Sequence, residues 1–209
     1  MPGMLRCCAL LLCIGLLRAE TILCLGDSLT AGYGLEESQA WPALLEARLA
    51  EARTPSRVVN AGVSGDTTTG GLQRLKFALR TKPDLVIIAL GGNDGLRGQE
   101  IPVIEANLRT LVERVRAAKA IPILAGMQLP TNYGADYRQR FADLYPRIAK
   151  DLDVPLIPFL LDGVGGVAEL NQPDGIHPNA DGQRKVAETV HRALQALAAT
   201  AQAKTALTP

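Results

Sequence analysis

A serine hydroxyl becomes a useful nucleophile only when a neighbouring base takes its proton, so histidines are the first residues to place. The 209-residue chain holds two. His191 falls inside a helical pattern, away from any strand end. His177 stands in Asp174-Gly175-Ile176-His177-Pro178, where Pro178 suits the first turn of a following helix and leaves the histidine in the loop before it. The short Asp-x-x-His spacing allows the Asp174 carboxylate to fold back onto Nδ1–H, leaving Nε2 free to accept a proton. By elimination, a histidine-assisted mechanism uses His177. Its partner hydroxyl is expected in Gly26-Asp27-Ser28-Leu29-Thr30-Ala31-Gly32, at Ser28.

The elements that must position these residues are legible as apolar runs at 21–25 (TILCL), 57–60 (RVVN), 85–90 (LVIIAL), 121–127 (IPILAGM) and 154–159 (VPLIPF). None alternates apolar with polar, as expected of strands covered on both faces. Between them lie helical patterns. Ile101, Ile104, Leu108, Leu111 and Val115 form one stripe, and others span 41–52, 69–80, 135–150 and 179–197. Residues 198–209 carry no stripe and are expected to fray. Repeated strand–helix alternation implies an α/β fold, a three-layer α/β/α sandwich around a five-stranded parallel sheet. Pro155 and Pro158 remove ladder donors from the fifth strand and so place it at an edge, which fits the flavodoxin-like order 2-1-3-4-5.

In that order the loops after strands one, two and three are neighbours, at the carboxyl ends where ligands bind. The second loop is Asn60-Ala61-Gly62-Val63-Ser64-Gly65-Asp66 and the third is Gly91-Gly92-Asn93-Asp94. Together the three loops bring a hydroxyl, a glycine-flanked turn with free N–H groups and a carboxamide to one point. A nucleophile ringed by donors suits acyl transfer, where an oxyanion develops. Read singly, Ser28 also fits a helix N-cap, Asn93 a turn and Asp174 an Asx-turn.

The combination resembles the SGNH or GDSL hydrolases, in particular their bacterial multifunctional thioesterase/lysophospholipase/arylesterase branch. Four ordered blocks carry the resemblance: Gly26-Asp27-Ser28-Leu29, the 62–66 loop, Gly91-Gly92-Asn93-Asp94 and Asp174-x-x-His177. It implies Ser28 as nucleophile in a triad with Asp174 and His177. It also implies an oxyanion hole formed by the backbone N–H groups of Ser28 and Gly65 and the Asn93 side chain. Further implications are a periplasmic or secreted location, small acyl ester or thioester substrates, and no metal or cofactor. The loops 128–134 and 160–173 are expected to wall the acyl pocket.

Two rival readings remain open to test. Asp27, Asp66 and Asp94 all sit at strand ends and could gather Mg²⁺ for phosphoester hydrolysis; the plainer reading has them capping helices and bracing loops. A flavodoxin-like nucleotide-binding module is the other, although neither a G-x-G-x-x-G run nor a P-loop lysine pattern occurs. Twenty-two Lys and Arg against twenty-one Asp and Glu leave a formal charge of +1, too little to hold a nucleic acid.

At the start of the chain, Arg6, the apolar run 7–17 and Ala19 read as a leader, 1–19, cleaved before Glu20. The hydrolase domain is expected over 20–197, with no stable membrane insertion after leader removal. Cleavage would take Cys7, Cys8 and Cys13, leaving Cys24 as a small buried hydrophobe with no disulfide partner.

Overall fold

The structure, a computed structural model, describes residues 20–52, 54 and 56–206. The expected leader and its three cysteines lie outside the described residues. β1 (Thr21–Gly26), β2 (Arg57–Gly62), β3 (Leu85–Ala89), β4 (Ile121–Ala125) and β5 (Leu156–Ile157) form one parallel sheet in the order β2-β1-β3-β4-β5. This is the expected order. β1 and β3 are interior strands, buried along almost their whole length, which is why their sequences are continuously apolar. β5 is a two-residue edge strand between Pro155 and Pro158, whose missing N–H groups prevent a longer ladder.

The helices are α1 (Ser28–Ala31), α2 (Trp41–Glu51), α3 (Thr68–Ala78), α4 (Gly92–Leu96), α5 (Ile101–Ala117), α6 (Ala135–Ala142), α7 (Leu144–Asp151) and α8 (Ala180–Ala206). α2 packs with α8, while α3, α5 and α7 pack in sequence, giving the three-layer sandwich. The stripe of α5 is buried as its spacing implied: Ile101, Ile104, Leu108, Leu111 and Val115 all join the core.

Three local expectations are revised. The pattern over 135–150 is two helices rather than one. Pro146 has no N–H and its ring collides with the carbonyl of Ala142, so the helix breaks at Asp143. Pro178 does not open α8; Asn179 caps it, its Oδ1 accepting from the N–H groups of Asp181 and Gly182 at 3.0 Å each. α8 also continues through Ala206, past the expected onset of fraying at 198, because an alanine-rich segment favours helix.

Candidate active site

Register brings the site loops to one level. Gly26 at the end of β1 pairs with Gly62 of β2 and Ala89 of β3, so their three loops leave the sheet side by side. Asp27 caps α1 by accepting from Leu29 N–H at 3.0 Å, and Ser28 opens that single turn. The N-cap role considered for Ser28 therefore belongs to Asp27. Ser28 is buried except for the side that lines a cavity.

His177 reaches this serine from the loop before α8. Its Nε2 lies 2.9 Å from Ser28 Oγ, and its Nδ1 lies 2.7 Å from Asp174 Oδ2. The other carboxylate oxygen, Oδ1, accepts from the N–H groups of Ile176 and His177 at 3.0 Å each. Burial works against ionisation of Asp174. The hydrogen bonds from the His177 ring and these two N–H groups outweigh it and hold the carboxyl below its ordinary value. With Nδ1–H donating to Asp174, Nε2 is the nitrogen that accepts from the serine hydroxyl. His191 lies on α8 and has no part in this arrangement.

The Asn93 carboxamide occupies the third loop. Its Nδ2 donates to the Asp66 carbonyl at 3.0 Å and to Asp27 Oδ2 at 3.3 Å, spanning the first and second loops. Two glycines give these loops their shape. Gly91 has φ +113°, and a Cβ there would stand 2.4 Å from the hydroxyl of buried Tyr145, which donates to the Leu90 carbonyl. Gly65 has φ +80°, and its carbonyl accepts from Arg97 Nη2 at 3.0 Å. Among the described residues, the N–H groups of Ser28 and Gly65 donate to no backbone carbonyl.

Arg74 on α3 holds the first two loops together and was not singled out from sequence. Its Nε donates to Asp66 Oδ2 at 2.6 Å, while its Nη atoms donate to the carbonyls of Ala61 and Gly26 at 2.7 and 2.8 Å. Asp94 accepts from the N–H and hydroxyl of Thr68 at 2.8 and 2.6 Å, at the start of α3. Asp27, Asp66 and Asp94 thus brace loops. Among the described residues, no three His, Cys, Asp or Glu side chains gather as a metal ion would require. Burial drives the Asp27 carboxyl up to about 6, against the opposing hydrogen bond from Leu29 N–H.

A cavity of about 520 Å³ opens beside Ser28 and His177. Both expected wall segments contribute, with Leu129 and Pro130 from one and Leu161 and Gly165 from the other. Leu29 and Phe159 add further apolar surface.

The profile of the GDSL-like lipase/acylhydrolase family matches residues 24–185. The chain belongs to that family. This acylhydrolase is 46% identical over 192 residues to the esterase TesA of Pseudomonas aeruginosa, covering 91% of this chain and 96% of that protein. It is likewise 46% identical over 180 residues to thioesterase 1/protease 1/lysophospholipase L1 of Escherichia coli, covering 86% and 85%. Among solved structures it resembles the psychrotrophic esterase EstA from Pseudoalteromonas sp., inhibited by monoethylphosphonate, with 34% identity and a TM-score of 0.81. That match covers 85% of this chain and 98% of the other. Membership in an acylhydrolase family selects the acyl-transfer reading over the phosphoesterase and nucleotide-module rivals.

Proposed function

We propose that this acylhydrolase cleaves carboxylic esters or thioesters through an acyl-enzyme on Ser28. The observation that carries the reading is the continuous contact Ser28–His177–Asp174 at the mouth of an apolar cavity. In the first step His177 Nε2 takes the Ser28 proton as Oγ attacks the acyl carbon. Asp174 holds the ring by Nδ1–H and stabilises the imidazolium that forms. The N–H groups of Ser28 and Gly65 receive the oxyanion, and the Asn93 amide joins them by turning one N–H away from its long 3.3 Å bond to Asp27. His177 then protonates the leaving group, and water releases the acid by the same route in reverse order.

The apolar walls suit acyl chains, and the names of the relatives support carboxylic esters, lysophospholipids and acyl thioesters as the substrate range. The chain is read as exported to the periplasm or beyond through the leader 1–19, with its catalytic domain over 20–197. No helix of the described residues is long and apolar enough to cross a membrane. N-terminal sequencing of the exported protein should begin at Glu20.

The deciding experiment is p-nitrophenol release from short- and medium-chain esters by wild type and Ser28→Ala. The expected result is turnover by the wild type and none by a variant that melts at the wild-type temperature. Turnover surviving the substitution would remove Ser28 from the mechanism.

A further inference from the structure

The turn after Ser28 sets an aromatic ring against the imidazole. The Ser28 carbonyl accepts from the N–H groups of both Gly32 and Tyr33 at 3.1 Å, which fixes Tyr33 one turn beyond the serine. The Tyr33 ring centroid lies 4.5 Å from that of His177, with the planes inclined by 35°. Tyr33 nevertheless stays 51% exposed, and it is not among the residues that line the cavity.

Gln172 ties together the backbones that carry the two rings. Its Nε2 donates to the carbonyls of Tyr33 and Pro178 at 2.7 and 3.1 Å, and its own N–H donates to the His177 carbonyl at 2.7 Å. A half-exposed aromatic ring contributes little to the core, so burial does not account for such an arrangement.

We propose that Tyr33 forms the leaving-group subsite and that it favours esters of phenols over those of simple alkyl alcohols. The inference rests on the Ser28 reading. With the acyl chain in the cavity, the leaving oxygen must face His177 Nε2. There the bond from acyl carbon to oxygen breaks as that oxygen takes the proton removed from Ser28. Whatever the oxygen carries emerges outside the cavity beside His177, where Tyr33 presents its ring. A planar aromatic group gains ring contact there, and a short alkyl group does not.

The test compares kcat/KM for phenyl butyrate and ethyl butyrate in wild type, Tyr33→Phe and Tyr33→Ala, with Ser28→Ala as reference. Both esters leave the same butyryl group on the enzyme, so a change in their ratio reports the leaving-group side alone. Loss of one aromatic pair should lower the phenyl-to-ethyl ratio about two- to tenfold in Tyr33→Ala. Tyr33→Phe should keep the wild-type ratio. Equal losses on both esters would reduce Tyr33 to a brace for His177 and overturn the subsite, as would an unchanged ratio. Activity persisting in Ser28→Ala would instead show that the underlying reading had failed.

Discussion

On the nucleophile side of the site, Asp27 and Asp94 keep 2% and 3% of their surface, whereas the Asp174 side chain beside His177 keeps 39%. The contacts differ in the same sense. Asn93 ties together residues 27 and 66 positions away in sequence, and Arg74 reaches back 48 positions to Gly26. Asp174 and His177 are three residues apart, and their loop meets the serine side through Ser28 and the Tyr33–Gln172 contacts. The aspartates that brace the nucleophile loops therefore belong to the folded core, although the proposed donors Asn93 and Gly65 are half-buried and exposed, while the proposed base sits on a locally organised loop. Rate and stability should separate on the base loop and fall together on the donor side.

The largest effect is expected where they separate. Asp174→Asn keeps the shape but presents a donor to Nδ1, favouring the wrong imidazole tautomer. The serine-protease precedent puts the loss in kcat at about 10⁴. Because Asp174 is substantially exposed, the melting temperature should stay within about 3 °C of wild type. A melting temperature that collapsed with the rate would mean the loop is as integral as the donor side.

Asn93→Ala should show the coupled behaviour. Removing one oxyanion donor costs about 10²–10³ in kcat. The same substitution strips the Asp66 carbonyl and Asp27 of their shared donor, so about 1–3 kcal/mol of stability should go with it in urea titrations. Normal kcat would sink the donor assignment. Normal stability would sink the claim that the donor doubles as a tie between loops.

Arg74→Met tests the donor side without touching any proposed reacting group. It removes the ion pair to Asp66 Oδ2 and one donor each from the Ala61 and Gly26 carbonyls. The Asp66 carboxylate keeps only the Thr67 N–H and the Gly26 carbonyl only the Val63 N–H, an expected loss of about 3 kcal/mol. In a chain of this size that is a fall of roughly 6–12 °C in melting temperature. If kcat and melting temperature both stayed at wild-type values, the second loop would need no such clamp.

Much of this division was readable in the sequence, because its signals are local. Continuous apolar runs marked the sheet, Pro155 and Pro158 marked its edge, and the four blocks marked the loops that the structure brings together. Where the reading fell short, the deciding contact was usually distant. Arg74 carries no local mark, since its partners lie 8, 13 and 48 residues away. Tyr33 and Gln172 are 139 residues apart and meet only once the sheet brings the first loop to the last. Pro146 is the exception. Its i−4 clash was visible in the sequence, but the apolar stripe running through 135–150 masked it.

The two aspartates give the comparison its finest test, because their carboxyls shift in opposite directions. Asp27 rises from an ordinary value of 3.8 to about 6 through burial, whereas Asp174 is lowered by its hydrogen bonds. For Asp27 the folded state binds its proton more tightly than the unfolded state, so its charge is a growing cost as pH climbs from about 4 to 6. The shift corresponds to about 3 kcal/mol once Asp27 is fully ionised. Asp174 works the other way: its stabilisation is complete above the unfolded carboxyl value and is lost only as pH falls below it. Asp27→Asn removes the first titration and leaves the second. Its stability relative to wild type should therefore improve steadily between about pH 4 and 7 in denaturant titrations. Any pH-independent cost of losing the bond to Asn93 displaces both ends of that curve equally. A flat difference, or one that worsens with rising pH, would mean that Asp27 is not held as a buried, reluctantly ionised acid.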